Sequence, residues 1–432
     1  MLSPAPVTTP LLGFDLRFED LYDSQGLRKV DAVFLAALTE SDPALRARLN
    51  AALQNPLALA QKDEAELLLA LAAPLEAFIA RLFRIETEAE ALRARHGKLG
   101  PLYSCKRHFV QRRVLKASEP QLATAVDGEQ LTQDLSTRFG TPFSELAFAE
   151  HVERWLQDES AHVADIDAAT RYTAWALHTE AGRDKHRHGV LFKAPGKLRH
   201  EHLVPLESTA ARGFTEHRAH AHHLRRREGF KLTDAGTDIT GALDEANYCI
   251  WCHHQSKDSC SKGLREKAAP DTNTITFKKS PFGIPLAGCP LEERISEFQE
   301  LKTQGYSIAA LAVITVDNPM VAATGHRICN DCMKSCIYQK QEPVNIPQAE
   351  TRTLKDVLEL PYGFEIYSLL TRWNPLDLRR PYPKEPSARR VLVVGLGPAG
   401  FTLAHHLLND GHSVAAIDGL KIEPLPAGLS GV

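Results

Sequence analysis

The chain lacks any apolar run able to cross a bilayer: Ile308 to Val316, the longest near its motifs, falls far short of the roughly 20 residues a spanning helix needs. Its start, MLSPAPVTTPLLGFDLRFED, lacks a basic segment followed by an apolar core, so no signal peptide is expected. An excess of charge is missing too. With 51 Lys and Arg against 54 Asp and Glu, the formal net charge is -3, which gives no general reason to expect nucleic acid or an anionic membrane as partner. No internal repeat or low-complexity tract is found. These absences leave the expectation of a cytoplasmic protein with no membrane association. Its 432 residues, 43% hydrophobic and 24% charged, suffice for two or three domains of ordinary size.

Cysteine is sparse except in one place. Of the 8 cysteines, all but Cys105 fall between Cys249 and Cys336. In a reducing compartment such clustering points to a metal centre or redox chemistry and away from structural disulfides. Cys105, by itself, is expected to be a small, partly buried hydrophobe.

Residues 1–185 read as a helical domain of packing or docking type. The run from Asp63 to His96 has apolar residues at helical spacing, with Pro74 marking a break or kink. Two more amphipathic stretches run from Phe143 to Asp158 and from Asp165 to His178. Residues 186–244 form a His- and Arg-rich connector holding His186, His188, His200, His202, His217, His220, His222 and His223, then Arg225, Arg226 and Arg227. No zinc spacing such as HExxH or a paired CxxC accompanies these histidines. A metal site, a polyanion or partner surface, and a solvated basic connector all stay open. A cysteine-rich module spans 245–371, and a linker, 372–389, is rich in proline and arginine. Residues 390–432 begin a second kind of fold.

Within the module the candidates read Cys249-x2-Cys252-x7-Cys260, then Cys289-Pro290, then Cys329-x2-Cys332-x3-Cys336. Closely spaced thiolates can grip one centre while distant cysteines close the cage. Pro290 suits the first position of a helix through PLEERISEFQELKTQG, with Glu292 and Glu293 in its first turn and Gly305 as its stop. Cys289 would then face a helix N-terminus, which favours an anionic centre. Zinc is the competing reading, but the pairs of a zinc ribbon stand about 15–20 residues apart, whereas here His253 to Ile328 intervenes.

The run ATGHRICNDCMKSC, continuing into EPVNIPQAE, resembles the second cysteine block of the glutamate synthase small subunit, and is similar to the N-terminal region of dihydropyrimidine dehydrogenase. The upstream order agrees: CIWC, a third cysteine, Cys-Pro, a short apolar helix, then Asn318-Pro319. The resemblance covers about residues 245–432. Three features depart from the family pattern: the third cysteine lies farther from CIWC, Ser261 to Gly288 is a long insertion, and the second block is tighter. The resemblance implies two interleaved [4Fe-4S] clusters. The first would use Cys249, Cys252, Cys260 and Cys336. The second would use Cys289, Cys329 and Cys332 plus a non-cysteine ligand. Aligning on Val344 to Ile346 brings Glu350 onto that last position, with Gln348 in reserve. His253, His254 and His326 also neighbour ligand cysteines. Alternatively Glu350 merely begins a helix from Thr351, where an acid is favourable.

The segment after the linker, Arg390-VLVV followed by Gly395, Leu396, Gly397, Pro398, Ala399 and Gly400, leads into FTLAHHLLND, Gly411 and HSVAAID ending at Asp418. A β-branched strand, a GxGxxG turn, a helix and a second strand ending in an acid make a dinucleotide fingerprint. Gly395 permits the tight turn, Gly397 the approach of a pyrophosphate, Gly400 close helix–strand packing, and Asp418 a bond to ribose hydroxyls. The residues leave FAD and NAD(P) open; the resemblance implies FAD. No second GxGxxG is present, and one strand–helix–strand unit before Val432 is too little for a doubly wound domain. The chain is therefore expected to be part of a longer polypeptide, or to be completed by another chain.

The expected fold class is mainly α: a helical N-terminal domain, a helical two-cluster ferredoxin-like module, and the start of an α/β Rossmann-type domain. The expected function is an NAD(P)H-linked, FAD-dependent oxidoreductase passing single electrons through the clusters to an acceptor domain or subunit. No residue reads as a general acid, base or nucleophile. A non-catalytic electron conduit and a zinc-stabilised docking module are the alternatives.

Overall fold

The structure, a computed structural model, describes residues 12–116, 126–204, 206–221, 224, 228–229, 234–255, 257–266, 275–325 and 328–419. His222, His223, Arg225 to Arg227, His326 and Val432, named above, lie outside the described residues. The described chain is mainly helical and divides into two compact units that interleave along the sequence. Among the described residues, no helix is long and apolar enough to cross a membrane.

One unit comprises residues 1–89, 307–329 and 353–432. Its helices Ser24–Ser41 and Pro43–Gln54 start at aspartate caps, Asp23 accepting from the Gly26 N–H and Asp42 from the Leu45 N–H, each at 2.8 Å; such caps are worth about 1 kcal/mol each. The helix Gln61–Phe83 continues unbroken through Pro74. The expected break instead falls at Arg84, whose φ of 56° is left-handed. Leu71, Ala72 and Leu75 around the proline are fully buried, so packing on both sides outweighs the one lost hydrogen bond. Its core is aromatic: Phe34, Phe78 and Trp373 meet with centroids 5.3 to 5.8 Å apart. The Trp373 indole donates to Asp31 at 3.0 Å. Trp373, Leu376 and Leu378 are buried, so the front of the expected linker is core. The helix Ser307–Asp317 is apolar on all sides and buried, and the buried Glu76 carboxylate accepts from its Ala309 N–H at 2.9 Å, a favourable place for negative charge.

The other unit comprises residues 90–306 and 330–352. Helices Gly128–Phe139, Glu145–Gln157 and Val163–His178 pack against the segment 100–115, where an α-turn runs into a ten-residue π-helix, Lys106–Leu115. Phe109, Leu135, Phe148 and Tyr172 are fully buried at the centre. Cys105 lies in this core and is 1% exposed, with burial holding its thiol far up. The Glu145 carboxylate accepts from the Val190 and Leu191 N–H groups at 2.8 and 2.9 Å and meets His186 Nδ1 at 3.0 Å, while His186 Nε2 meets the Tyr172 hydroxyl at 3.0 Å. A Cβ on Gly189 would stand 1.9 Å from Glu145 Oε1, so a side chain there would displace this carboxylate. His186 thus serves packing. Strands Leu206–Ala211 and Phe214–Ala219 pair as an antiparallel hairpin inside the expected connector, with His217 on Ser208 and His220 on Glu207.

Candidate functional site

The helix Ile239–Tyr248 delivers the first cysteine pair. Asp238 caps it by accepting from the Gly241 N–H at 2.8 Å. Lys106 of the π-helix grips Asp244 at 2.6 and 2.7 Å, Arg107 donates to the Asn247 carbonyl at 2.5 Å, and the Tyr103 hydroxyl donates to the Thr240 carbonyl at 2.9 Å. Glu245 accepts from the Asn345 N–H at 2.7 Å, and burial pushes its carboxyl up to about 7. The rings of Tyr248 and Tyr338 stack at 4.4 Å. The helix end at Cys249 is thereby clamped to the segment that follows Cys336.

Four of the expected ligands come together there. Cys249, Cys252, Cys260 and Cys336 are all buried. The Cys260 thiol donates to Cys336 sulfur, which lowers Cys336 to about 7 against its burial, with help from the N–H groups of Tyr338, Val344 and Ile337. The same bond drives Cys260 well up. Burial pushes Cys249 up to about 12, opposed by the Trp251 N–H at 3.4 Å and reinforced by the nearby Cys252 and Cys336. Burial and then Asp258 push Cys252 up to about 11, against the Ser259 N–H. Backbone N–H groups therefore aim at three of the four sulfurs, as an anionic thiolate-ligated centre requires. Among the described residues, no three cysteine sulfurs draw within 4.8 Å of one another, whereas zinc–sulfur bonds of about 2.3 Å set tetrahedral sulfurs about 3.8 Å apart.

The remaining ligand candidates are differently placed. Cys289 follows Gly288, whose N–H donates to Ser335 Oγ at 2.9 Å, so this loop is tied beside Cys336. The expected helix at Pro290 does not form: Glu292 has a φ of 52° and the helix is Ile295–Thr303. The expected helix start at Pro290, beside Cys289, is therefore absent, although Gly305, at φ 81°, ends the helix as expected. Cys332 is buried and shares this unit with Cys289 and Glu350, while the exposed Cys329 belongs to the other unit. Glu350 is 5% exposed. Its helix is Ile346–Leu358, not one from Thr351, so Glu350 stands past the first turn, where the helix dipole favours acids less. Gln348 accepts from the Thr237 N–H at 3.0 Å, a loop anchor.

Sequence reasoning missed a polar network beside Cys252. His253 Nδ1 lies 2.8 Å from Ser296 Oγ, which donates to Asp258 at 3.2 Å. His253 Nε2 and His254 Nε2 lie 2.9 and 3.0 Å from one oxygen of Glu300. The double histidine was the visible signal; Glu300, on the next helix, had none.

At the glycine-rich segment, strands Arg390–Val394 and Ser413–Ile417 pair in parallel around the helix Pro398–Asn409. Gly395 has a φ of 95°, and a Cβ on Gly400 would lie 1.8 Å from the Gly395 carbonyl oxygen. A Cβ on Gly397 would meet nothing within 4 Å, leaving its backbone open to approach. Asp418 accepts from the Leu396 N–H. Leu392, Val394 and Ile417 are exposed.

A family model, the RP005 N-terminal alpha-helical domain, matches residues 12–84. The chain is 68% identical over 106 residues to protein RP006 of Rickettsia prowazekii (strain Madrid E), a match covering 24% of this chain but 15% of that protein. It is 32% identical over 134 residues to the glutamate synthase [NADPH] small chain of Bacillus subtilis (strain 168), covering 31% of this chain and 24% of the relative. It therefore spans only a small part of either of those two proteins, and its likeness to the glutamate synthase small chain is partial. With protein RP005 of R. prowazekii it shares 30% identity over 302 residues, 68% of this chain and 98% of the relative, and the chain belongs to the RP005 family.

Proposed function

We propose that this chain is the front part of an iron–sulfur flavoprotein oxidoreductase, with residues 245–371 as a two-cluster module and 390–432 as the start of an FAD-binding Rossmann-type domain. The observation that carries the reading is the convergence of Cys249, Cys252, Cys260 and Cys336, dressed by backbone N–H groups. The likeness to glutamate synthase small chains supports the redox class. When bound, [4Fe-4S] clusters supply one-electron transfer and a flavin accepts a hydride from NAD(P)H. The chain's own part is to hold four thiolates in a buried pocket, exclude water with the Tyr248–Tyr338 stack, and stabilise negative charge with fixed N–H dipoles. Cys289, Cys329, Cys332 and Glu350 would hold the second cluster. Gly395, Gly397, Pro398, Ala399 and Gly400 would cradle the flavin's pyrophosphate, with Asp418 turning to its ribose. The uncovered apolar residues Leu392, Val394 and Ile417 suit a sheet to which further strands add. Electrons would leave to an acceptor domain or subunit.

Anaerobic purification tests this. A brown protein with about eight iron and eight sulfide per chain is expected for two cubanes. Cys252→Ser should lose one cluster, while Cys105→Ser should keep both. Stoichiometric zinc without labile sulfide overturns the reading.

A further inference from the structure

We propose that His253, His254 and Glu300 form a site for one divalent transition-metal ion, separate from the cysteine cage and independent of whether that cage holds a cluster. Two imidazoles and a carboxylate are a donor set that suits zinc and its neighbours. The three ligand atoms already lie within 4.8 Å of one another. Tetrahedral bonds of about 2.0–2.2 Å put the donors about 3.3–3.6 Å apart; the Glu300 oxygen stands 2.9 Å from His253 Nε2 and 3.0 Å from His254 Nε2, so a side-chain shift of about half an ångström admits an ion.

The surroundings orient the buried ligand as metal sites do. Ser296 Oγ directs its hydroxyl proton to Asp258 at 3.2 Å and accepts the His253 backbone N–H at 3.2 Å. His253 Nδ1 lies 2.8 Å from the same oxygen, and this contact turns Nε2 toward the Glu300 carboxylate. This is a carboxylate–hydroxyl–imidazole relay of the kind that fixes a ligand's tautomer. The other Glu300 oxygen is held by Gln304 at 3.1 Å, so the carboxylate is aimed. His254 is half exposed (51%), giving an ion a way in and leaving a coordination position for water.

The test uses the full chain, purified anaerobically with its cysteine site loaded, stripped of loose metal by a chelator, and titrated with Zn2+ or Co2+. One ion per chain is expected, and the cobalt form should show no thiolate charge-transfer band. His254→Ala, at a half-exposed position that the fold tolerates, should weaken binding at least 100-fold. Ser296→Ala, which removes the orienting hydroxyl, should weaken it about 10–100-fold. Cys252→Ser should leave the cobalt spectrum of this site in place, whatever happens to iron. The proposal is overturned if the chain takes up no ion, if His254→Ala binds as tightly as the parent, or if the cobalt band is thiolate-derived and vanishes in Cys252→Ser. Two imidazoles merely donating hydrogen bonds to Glu300 would give the first of these results.

Discussion

The backbone N–H of Cys289 donates to the carbonyl of Cys260 at 2.8 Å. The insertion between them, which lengthens this stretch beyond the pattern of related modules, folds back so that its two ends form one short ladder. Leu264 bonds Leu286, and Lys278 bonds Leu264, within the same turn of chain.

That closure depends on Gly288. Its φ is 86°, and a Cβ there would lie 2.5 Å from both the Gly263 nitrogen and the Ser261 oxygen. Gly288→Ala should cost about 2–3 kcal/mol, more than Gly283→Ala, where φ is 78° but no atom lies within 4 Å. Urea unfolding compares them, and equal midpoints would show that the close approach is not felt.

The buried Glu145 carries a pH dependence. Burial pushes its carboxyl up, but the hydrogen bonds from His186, Leu191 and Val190 outweigh it and hold the carboxyl below its ordinary value of 4.5. A depressed acid contributes stability in full above that value and loses it as the pH falls through the lowered one. Glu145→Gln should therefore flatten the acid limb of the stability curve below pH 4.5. Glu145→Ala, which strands two N–H groups, should cost about 2–5 kcal/mol at neutral pH. Thermal melts across pH decide it, and parallel acid limbs for parent and Gln variant would refute the assignment.

If Glu350 ligates the second cluster, Glu350→Ala should shift the potential or occupancy of one cluster and leave the other alone. A carboxylate is harder than a thiolate, so its removal is felt at the iron it binds. Electron paramagnetic resonance during a redox titration reads both clusters at once. Two unchanged signals would exclude Glu350 and move attention to Gln348.

A version of the chain extended past Val432 should bind FAD, and Gly400→Ala should weaken that binding at least tenfold. The reason is steric: the added methyl would overlap the Gly395 carbonyl, forcing helix and strand apart at the turn that meets the pyrophosphate. Flavin fluorescence on titration checks it. Undiminished binding by the variant would place the nucleotide elsewhere.

The grouping of Cys249, Cys252, Cys260 and Cys336 came from the resemblance, since Cys336 lies 76 residues past Cys260 and no local spacing joins them. The glycine turn was legible because each glycine answers a local steric need. What failed were inferences from one residue's propensity. Pro290 can open a helix, yet the left-handed Glu292 follows it; Pro74 can end one, yet buried neighbours hold it in. The hairpin of LESTAA and FTEHRA has no apolar alternation to announce it, since both its faces meet solvent. The burial of Trp373 within a proline- and arginine-rich stretch depends on Phe34 and Phe78, partners far away in sequence that no local pattern reveals.

The threading of the chain sets a timetable for its own synthesis. Phe78 completes its ring cluster with Trp373, and at about 5–20 residues per second the ribosome delivers that tryptophan about 15–60 s later. The helix Ser307–Asp317, which packs on Gln61–Phe83, arrives only about 60 residues before that tryptophan. Until both arrive the helix Gln61–Phe83 lacks its native cover, the kind of transient apolar exposure that holding chaperones bind.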